Sequence, residues 1–522
     1  MSPLTWILLL PLLAAGVLVA LPSSLKVVIR AVTVSVTAVV ALVALQMMAG
    51  FDEAPAGAGG YRFLQQIPWV PSLGLSYHVG VDGVSLGLIV MGAIVAFAAA
   101  CVSAEIRERV KEFHILLLVM TAGVLGAFAS LDIFLLYFFH ELALVPTFIM
   151  IGVWGRGENR AYAAFQITLY LTLGALVALI GLIALYVQSG AGTFNLVELG
   201  EHLRANPLPV SRQVFIFPWL MFGFGILVSL WPFHTWAPLG YGVAPTATAM
   251  LHAGVLKKFG LFVLLKVALP LLPEGAKAWL PLLAWLCLGN ILYCGWVAMR
   301  QRDLNLLIGN SSVAHVGFVF LGLASATVIG LTGAVVVMVA HGFLAALSFA
   351  LSGWLYRQSG TLDMRRMGGL LRQLPFVGTA MIMAMLAGCG LPGFGNFVGE
   401  MLVLFGGWKS DLVICGGWIS MKWFVAAAAW GALLVAALYM LRAIRAIWHG
   451  PLTEGWSQAA DPQGFYRRLP YVLLVACLLA VGLWPRMLTD RAEPVAREIA
   501  RVMQESRPTP NLAAAQALPE PR

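Results

Sequence analysis

Of the chain's 522 residues, 61% are apolar and 11% charged, against about 45–50% apolar and about 25% charged in an ordinary soluble domain. Mean hydropathy is +0.89. No soluble fold of this length hides that much apolar side chain, because its surface must still meet water. An integral membrane protein is therefore implied, and soluble enzymes, nucleic-acid binders and secreted disulfide scaffolds are excluded. The net charge of +9 is spread in ones and twos between apolar runs, a pattern of membrane orientation rather than of a nucleic-acid surface. Six cysteines (Cys101, Cys287, Cys294, Cys389, Cys415, Cys477) sit almost wholly inside apolar runs, with no CxxC and no Cys/His cluster. Neither disulfides nor iron–sulfur ligation is expected.

About 20 apolar residues cross a bilayer, and the runs meeting that test give an all-α, polytopic fold with about fourteen spans. They are 3–21, 25–50, 81–104, 113–131, 132–154, 161–188, 212–230, 242–270, 276–298, 304–325, 328–356, 374–406, 422–446 and 468–486. The first lacks an A-x-A cleavage site and is followed at once by a second, which points to an uncleaved helix. Residues 51–80, with Pro55, Gly59, Gly60, Trp69 and Pro71, predict an external hairpin or cap. TFNLVELGEHLRAN (193–206) reads as an amphipathic interfacial helix with Leu196, Leu199 and Leu203 on one side.

Two runs carry breaks. Residues 222–245 hold Gly223, Gly225, Pro232, Pro238, Gly240, Gly242 and Pro245, and CGLPGFGNFVGE (389–400) repeats the idea. Interrupted spans in corresponding places of two halves point to an ion site, and their freed backbone groups need protein or water. After Pro485 the chain turns polar, predicting a short surface helix and a disordered tail. The organisation that follows is 1–80 (two helices and a cap), 81–270 and 271–450 (two halves) and 451–522 (last helix and tail).

Orientation comes from the basic residues. One set of loops receives Lys26, Arg30, Arg107, Arg109, Lys111, Arg156, Arg160, Arg300, Arg302, Arg357, Arg365, Arg366, Arg372, Arg442, Arg445, Arg467 and Arg468. The opposite loops hold Arg62, Arg204, Arg212, Lys277, Lys409 and Lys422. The larger set faces the cytoplasm, so both termini are expected in the periplasm of a bacterial inner membrane.

An ionisable group at mid-bilayer costs about 2.5–3.5 kcal/mol on insertion scales, so those inside apolar runs need a reason. They are Glu141, His252, Lys257, Lys258, Lys266, His315, His341 and Glu400. Lys266, four residues before Pro270, reads equally well as a snorkelling helix-end residue. Glu141, Lys258 and Glu400 are too deep, or too close to a break, for that. Imidazole both accepts and donates a proton near neutral pH, so His315 and His341 suit a relay. Neither a Walker loop nor a GxGxxG after a strand occurs, so no nucleotide or redox cofactor is expected on this chain.

At these residues the sequence resembles the antiporter-like membrane subunits of respiratory complex I, most closely the subunit M type. The motifs are VGVDGVSLGLIVM (79–91), FFHELALVPTFIMIGVWG (138–155), PFHTWAP (232–238), APTATAMLHAGVLKKFG (244–260), SSVAHVGFVFLG (311–322), AHGFLAALSFALSGWLY (340–356) and GLPGFGNFVGEMLVL (390–404). The resemblance implies fourteen core helices with two inverted five-helix repeats carrying the broken helices. It also implies proton translocation driven by quinone reduction elsewhere in a NADH-quinone oxidoreductase, with neighbouring antiporter-like subunits, the bilayer and internal water as partners. Carried over, Glu141 matches the fifth-helix glutamate of the uptake half-channel, Lys258 the central lysine, His315 and His341 the relay, and Glu400 the twelfth-helix glutamate. L- and N-type subunits generally place lysine at that last position.

The sequence departs from the family at several points. The helix-seven lysine that pairs with the glutamate falls on Leu227, QxDLKRLxAYSS becomes QRDLNLLIGNSS (301–312), PDAH becomes PLGY (238–241), and His252 and Lys257 are additions. The expectation is that His252 or Lys257 replaces the missing partner of Glu141. Two alternatives stay open: a subunit of a Mrp-type sodium/proton antiporter or membrane-bound hydrogenase, and a non-conducting spacer supported by Leu227.

Overall fold

A computed structural model describes residues 2–70, 74–414 and 418–505; the expected disordered tail from residue 506 onward lies outside them. Twelve helices among the described residues are long and apolar enough to cross a membrane. The two other predicted spans are present in divided form.

The chain opens with α1 (Pro3–Ala20) and α2 (Lys26–Ala49). The expected external cap is an antiparallel hairpin, β1 (Arg62–Val70) and β2 (Leu75–Val81), with Gln66 opposite His78. Then come α3 (Gly83–Val102), α4 (Val110–Ala129), α5 (Ile133–Trp154), α6 (Arg160–Ser189) and the short amphipathic α7 (Leu196–Ala205), which buries Leu199 and Leu203. The seventh span breaks into α8 (Val210–Leu227) and α9 (Trp236–Val243). The eighth, α10 (Thr246–Leu251), α11 (Lys258–Val263) and α12 (Leu269–Leu271), is spliced by π turns at His252–Leu256 and Leu264–Ala268.

The second half repeats this order. α13 (Pro273–Leu288) and α14 (Gly295–Arg300) join through a π turn, and α15 (Leu304–Ser325) and α16 (Val328–Ser359) follow. The next span breaks into α17 (Pro375–Gly388) and α18 (Gly395–Trp408). A two-residue ribbon, β3 (Val413–Ile414) and β4 (Ile419–Ser420), leads to α19 (Met421–Trp430), joined through a π turn to α20 (Ala437–Trp448). α21 (Phe465–Leu483) and the amphipathic α22 (Arg486–Glu505) close the described chain. In each run of five spans, from α4 to α12 and from α13 to α20, the fourth is the broken one. Five is odd, so the second run starts on the opposite side from the first and is inverted.

Burial sorts the spans. Every residue of the most apolar window of α16, and nearly every one in α15 and α3, is buried inside the protein, whereas α2, α6 and α21 leave most of theirs half-buried or exposed. A span buried on all sides leaves no lipid face on which to hide a charge, so polar groups on α15 and α16 must meet one another. The hairpin, α7 and α22 share one outer face. Ion pairs tie Arg491 to Asp52 at 2.8 Å and Arg204 to Glu498 at 3.0 Å.

Lys266 does not snorkel. It makes an ion pair with Asp82, and only 13% and 8% of the two side chains are exposed. Asp82 is already fixed as the N-cap of α3, accepting from the Val84 and Ser85 amides in a capping box.

Candidate proton-relay site

The π turn at His252–Leu256 builds the centre of the site. The Lys257 amide bonds the His252 carbonyl at 3.0 Å, one residue beyond the usual α-helical acceptor. Such single π turns recur at functional sites because they re-aim side chains and free carbonyls. Here the Lys258 ammonium donates to the Ala253 carbonyl at 2.6 Å and meets His341 Nδ1 at 2.8 Å. Lys257 turns elsewhere, to Ser312 Oγ at 3.5 Å, with Tyr241's ring centre 5.8 Å away. Adjacent helical residues point about 100° apart, so the two lysines serve different neighbours.

Glycine lets α16 come close enough. A Cβ on Gly342 would lie 2.4 Å from Met91 Sδ and 2.9 Å from the Gly254 carbonyl. Close backbone approach through small residues is how helices pack without large side chains between them. It puts His341, one residue earlier, against Lys258.

The line continues. His341 and His315 have ring centres 5.6 Å apart at a tilt of 41°. His315 Nδ1 lies 2.7 Å from the Ser311 carbonyl and Nε2 3.1 Å from the Gly388 carbonyl; the neutral ring donates to one of them and the protonated ring to both. Gly388 ends α17, and the break beyond it turns through Gly390 (φ +69°) and Gly393 (φ +103°), conformations that glycine adopts without a Cβ penalty. A Cβ on Gly390 would sit 3.0 Å from Glu400 Oε2. The break thus seats Glu400, whose Oε1 lies 3.8 Å from His315 Nε2. A cavity of about 10 Å³ adjoins this step, lined by His315, Glu400 and Tyr439, close to the smallest space that holds one water. Lys258, His341, His315 and Glu400 are all buried.

Glu141 stands apart. Its side chain is 35% exposed, and its ion-pair partner is His140, with Nδ1 3.5 Å from Oε1. The expectation that His252 or Lys257 replaces the missing lysine is therefore corrected. His252 instead packs between Trp236 (ring centres 5.5 Å, stacked) and Tyr241 (5.4 Å, edge-on), and Lys257 goes to Ser312. His140 is buried and stacked at 4.2 Å on Phe259, the residue after Lys258. Leu227 is buried at the end of α8, where the helix breaks.

Sequence reasoning missed four groups. His140 was hidden because neighbours on a helix are not expected to pair. Asn290 splices the first break, accepting from the Trp231 amide at 2.7 Å and donating to the Ser229 and Val313 carbonyls. Tyr439 reaches Ser311 Oγ at 3.1 Å. Asn396, one turn before Glu400, is fully buried with neither side-chain atom bonded. No charge marks the last three; an amide inside an apolar run was the available signal for Asn290 and Asn396.

Comparison with known proteins identifies the family and the fold. The family described as NADH:quinone oxidoreductase/Mrp antiporter, transmembrane, matches residues 130–422. The chain is 32% identical to NAD(P)H-quinone oxidoreductase chain 4 1 of Picosynechococcus sp., over 97% of this chain and 93% of that one. It is also 32% identical to NADH-quinone oxidoreductase subunit M of Rickettsia bellii, over 82% and 84%. Among solved structures, a chain of respiratory complex I from Thermus thermophilus with bound NADH superposes with a TM-score of 0.84 at 29% identity, covering 96% of this chain and 99% of that one. A chain of the Mrp complex from Dietzia sp. shares the fold at a TM-score of 0.80 and 19% identity, covering 96% and 98%.

Proposed function

Since the chain belongs to the NADH:quinone oxidoreductase/Mrp antiporter transmembrane family, with relatives named subunit M or chain 4, we propose that it is an antiporter-like membrane-arm subunit of a complex I. In this reading it moves protons while the redox chemistry takes place on other subunits, and it carries no redox group itself. The observation that supports this most is the buried row of ionisable groups from Lys258 through His341 and His315 to Glu400. Four such groups in contact inside a membrane protein cost more than any packing role repays.

Each member has a part that its chemistry allows. Glu141 takes up a proton and passes it through His140 toward the lysines. Lys258 holds the central charge, so loading or unloading it changes the proton affinity of His341 beside it. His341 and His315 hand protons on, because a ring nitrogen that gives up a proton to one side can regain one from the other. Glu400 delivers to the outlet or to the next subunit. Charge change at one member propagates because each is desolvated, and screening in the interior is weak. The bias of the basic loops supports an uptake side in the cytoplasm and both termini outside, in a bacterial inner membrane.

Lys258→Met in the assembled complex tests the reading. It removes the only exchangeable group of the central residue while keeping an apolar stem. Uncoupled quinone reduction should persist and the protons moved per electron pair should fall. An unchanged ratio would leave a spacer. The exposure of Glu141 and the leucine at 227 favour that rival, and Glu141→Gln tests the uptake limb by itself.

A further inference from the structure

Arginines from three separate helix ends converge on one cavity away from the relay. Arg30 lies in the second turn of α2, Arg357 in the last turn of α16 and Arg467 in the first turn of α21, all on the arginine-rich face. They surround a cavity of about 560 Å³ whose inner wall includes Phe97 and Leu469. That volume falls within the range of about 300–1,000 Å³ typical of small-molecule sites.

The charge balance of this cavity is uneven. Glu105 is the one carboxylate on its lining, and it is already held by Arg156 at 3.5 Å and by the Thr246 amide at 3.0 Å. Among the described residues, Arg357 and Arg467 make no ion pair. The Arg357 guanidinium is instead held over the Trp354 ring at 4.9 Å, which fixes its direction without neutralising it. Arg30 gives one Nη to the Ile106 carbonyl at 2.6 Å, while its buried Nε has no partner. A buried guanidinium N–H without an acceptor is costly, and arginine's planar fork matches a phosphate oxygen pair. Beside the cavity, Phe465 and Tyr466 are 71% and 84% exposed, as expected of aromatic residues anchored at headgroup level.

We propose that this cavity is a binding site for an anionic phospholipid, with the phosphate between Arg30, Arg357 and Arg467 and the acyl chains leaving along the Phe97 and Leu469 wall into the bilayer. A basic recess between transmembrane helices on the arginine-rich side has the features of such headgroup sites. The apolar inner wall distinguishes it from a site for free phosphate, which needs no hydrocarbon surface. It also favours a lipid over an acidic protein segment, because α2 and α21, which carry Arg30, Arg467 and Leu469, are among the least buried of the apolar spans. The inference is independent of proton transfer.

The test uses the intact complex containing this chain, reconstituted with a headgroup-diazirine phosphatidylglycerol and, separately, with the same probe on phosphatidylcholine. After illumination, adducts on this chain are mapped by mass spectrometry. Phosphatidylglycerol should label segments near Arg30 and near Tyr466, several-fold more than phosphatidylcholine does. Unlabelled phosphatidylglycerol should compete; inorganic phosphate should not. The double variant Arg357→Gln/Arg467→Gln changes two exposed side chains, and its assembly is checked on a native gel. It should lose most of the labelling, and Arg30→Gln should lose it in part. Equal labelling by both lipids, labelling unaffected by the arginine variants, or competition by inorganic phosphate would each overturn the proposal. So would a benzoylphenylalanine at position 466 that joins chiefly to another subunit.

Discussion

Glutamine at position 400 would keep the size and hydrogen-bonding capacity of the side chain and delete its exchangeable proton. Glu400 Oε1 lies 3.8 Å from His315 Nε2. Two unit charges at about that separation interact by about 4 kcal/mol at the effective dielectric constant of about 20 that suits protein sites. The Gln variant lacks that attraction whenever His315 carries a second proton, and it lacks the acid that can take a proton from it. The neutral His315 ring has one N–H and still donates it to the Ser311 or the Gly388 carbonyl, so the ring stays anchored when its second proton is absent. Transfer past His315 should then become slower than turnover. The assay is proton uptake into inverted vesicles per electron pair, with quinone reduction measured in parallel under uncoupler. Glu400→Gln should leave uncoupled reduction within about twofold and lower the ratio by this subunit's share; Glu400→Asp, with the acid one methylene further away, should fall between. A Gln variant with the full ratio would refute the assignment of Glu400 to the pathway.

Three further outcomes follow from other parts of the molecule. His140→Gln and Glu141→Gln should each lower the same ratio; if Glu141→Gln does so and His140→Gln does not, the Glu–His pair is not the uptake route. Lys266→Met strands the Asp82 carboxylate in the interior and should cost about 3–5 kcal/mol, as breaking one side of a buried pair does. That loss is read as earlier thermal unfolding of the complex, and Asp82→Asn added to Lys266→Met should recover part of it, because Asn still caps α3. In the loop before α17, the Arg365 side chain holds the Asp363 carboxyl down at about 2 from 3.8. A lowered value adds stability above the unfolded value that is lost as pH falls through the folded one, so exchange of the Arg365 amide, which Asp363 caps, should accelerate only between about pH 4 and pH 2. Asp363→Asn should abolish that window.

The spans were legible because twenty apolar residues in a row have few other uses, and the breaks because glycine and proline mark where a helix cannot continue. The π turns were not. His252–Leu256 contains nothing that forbids an α-helix, yet the extra residue decides which lysine meets His341. The separation of Lys257 from Lys258 was readable as helix geometry, but the partner of each depended on how α15 and α16 pack. Lys266 looked like a helix-end cation because its partner, Asp82, lies on a helix 184 residues earlier. Glu141 was placed in the interior from the length of apolar sequence on either side, a measure that gives depth along the helix and says nothing of its rotation. Rotation turns Glu141 partly outward and His140 in.

Unbonded buried polar atoms divide the pathway into three parts. At the uptake end Glu141 Oε1 and His140 Nδ1 have no hydrogen-bond partner beyond their 3.5 Å ion pair, and at the delivery end the Asn396 amide has none. In the middle the Lys258 ammonium is directly bonded and both ring nitrogens of His315 face carbonyls. Each unbonded atom costs about 1–3 kcal/mol if it stays dry, so a water that bonds it at either end would be stabilised there. In the proposed reading, protons exchange with water at two ends and cross a side-chain bridge between them. Control over direction would then belong at the ends, and the bridge would carry whatever charge the ends allow.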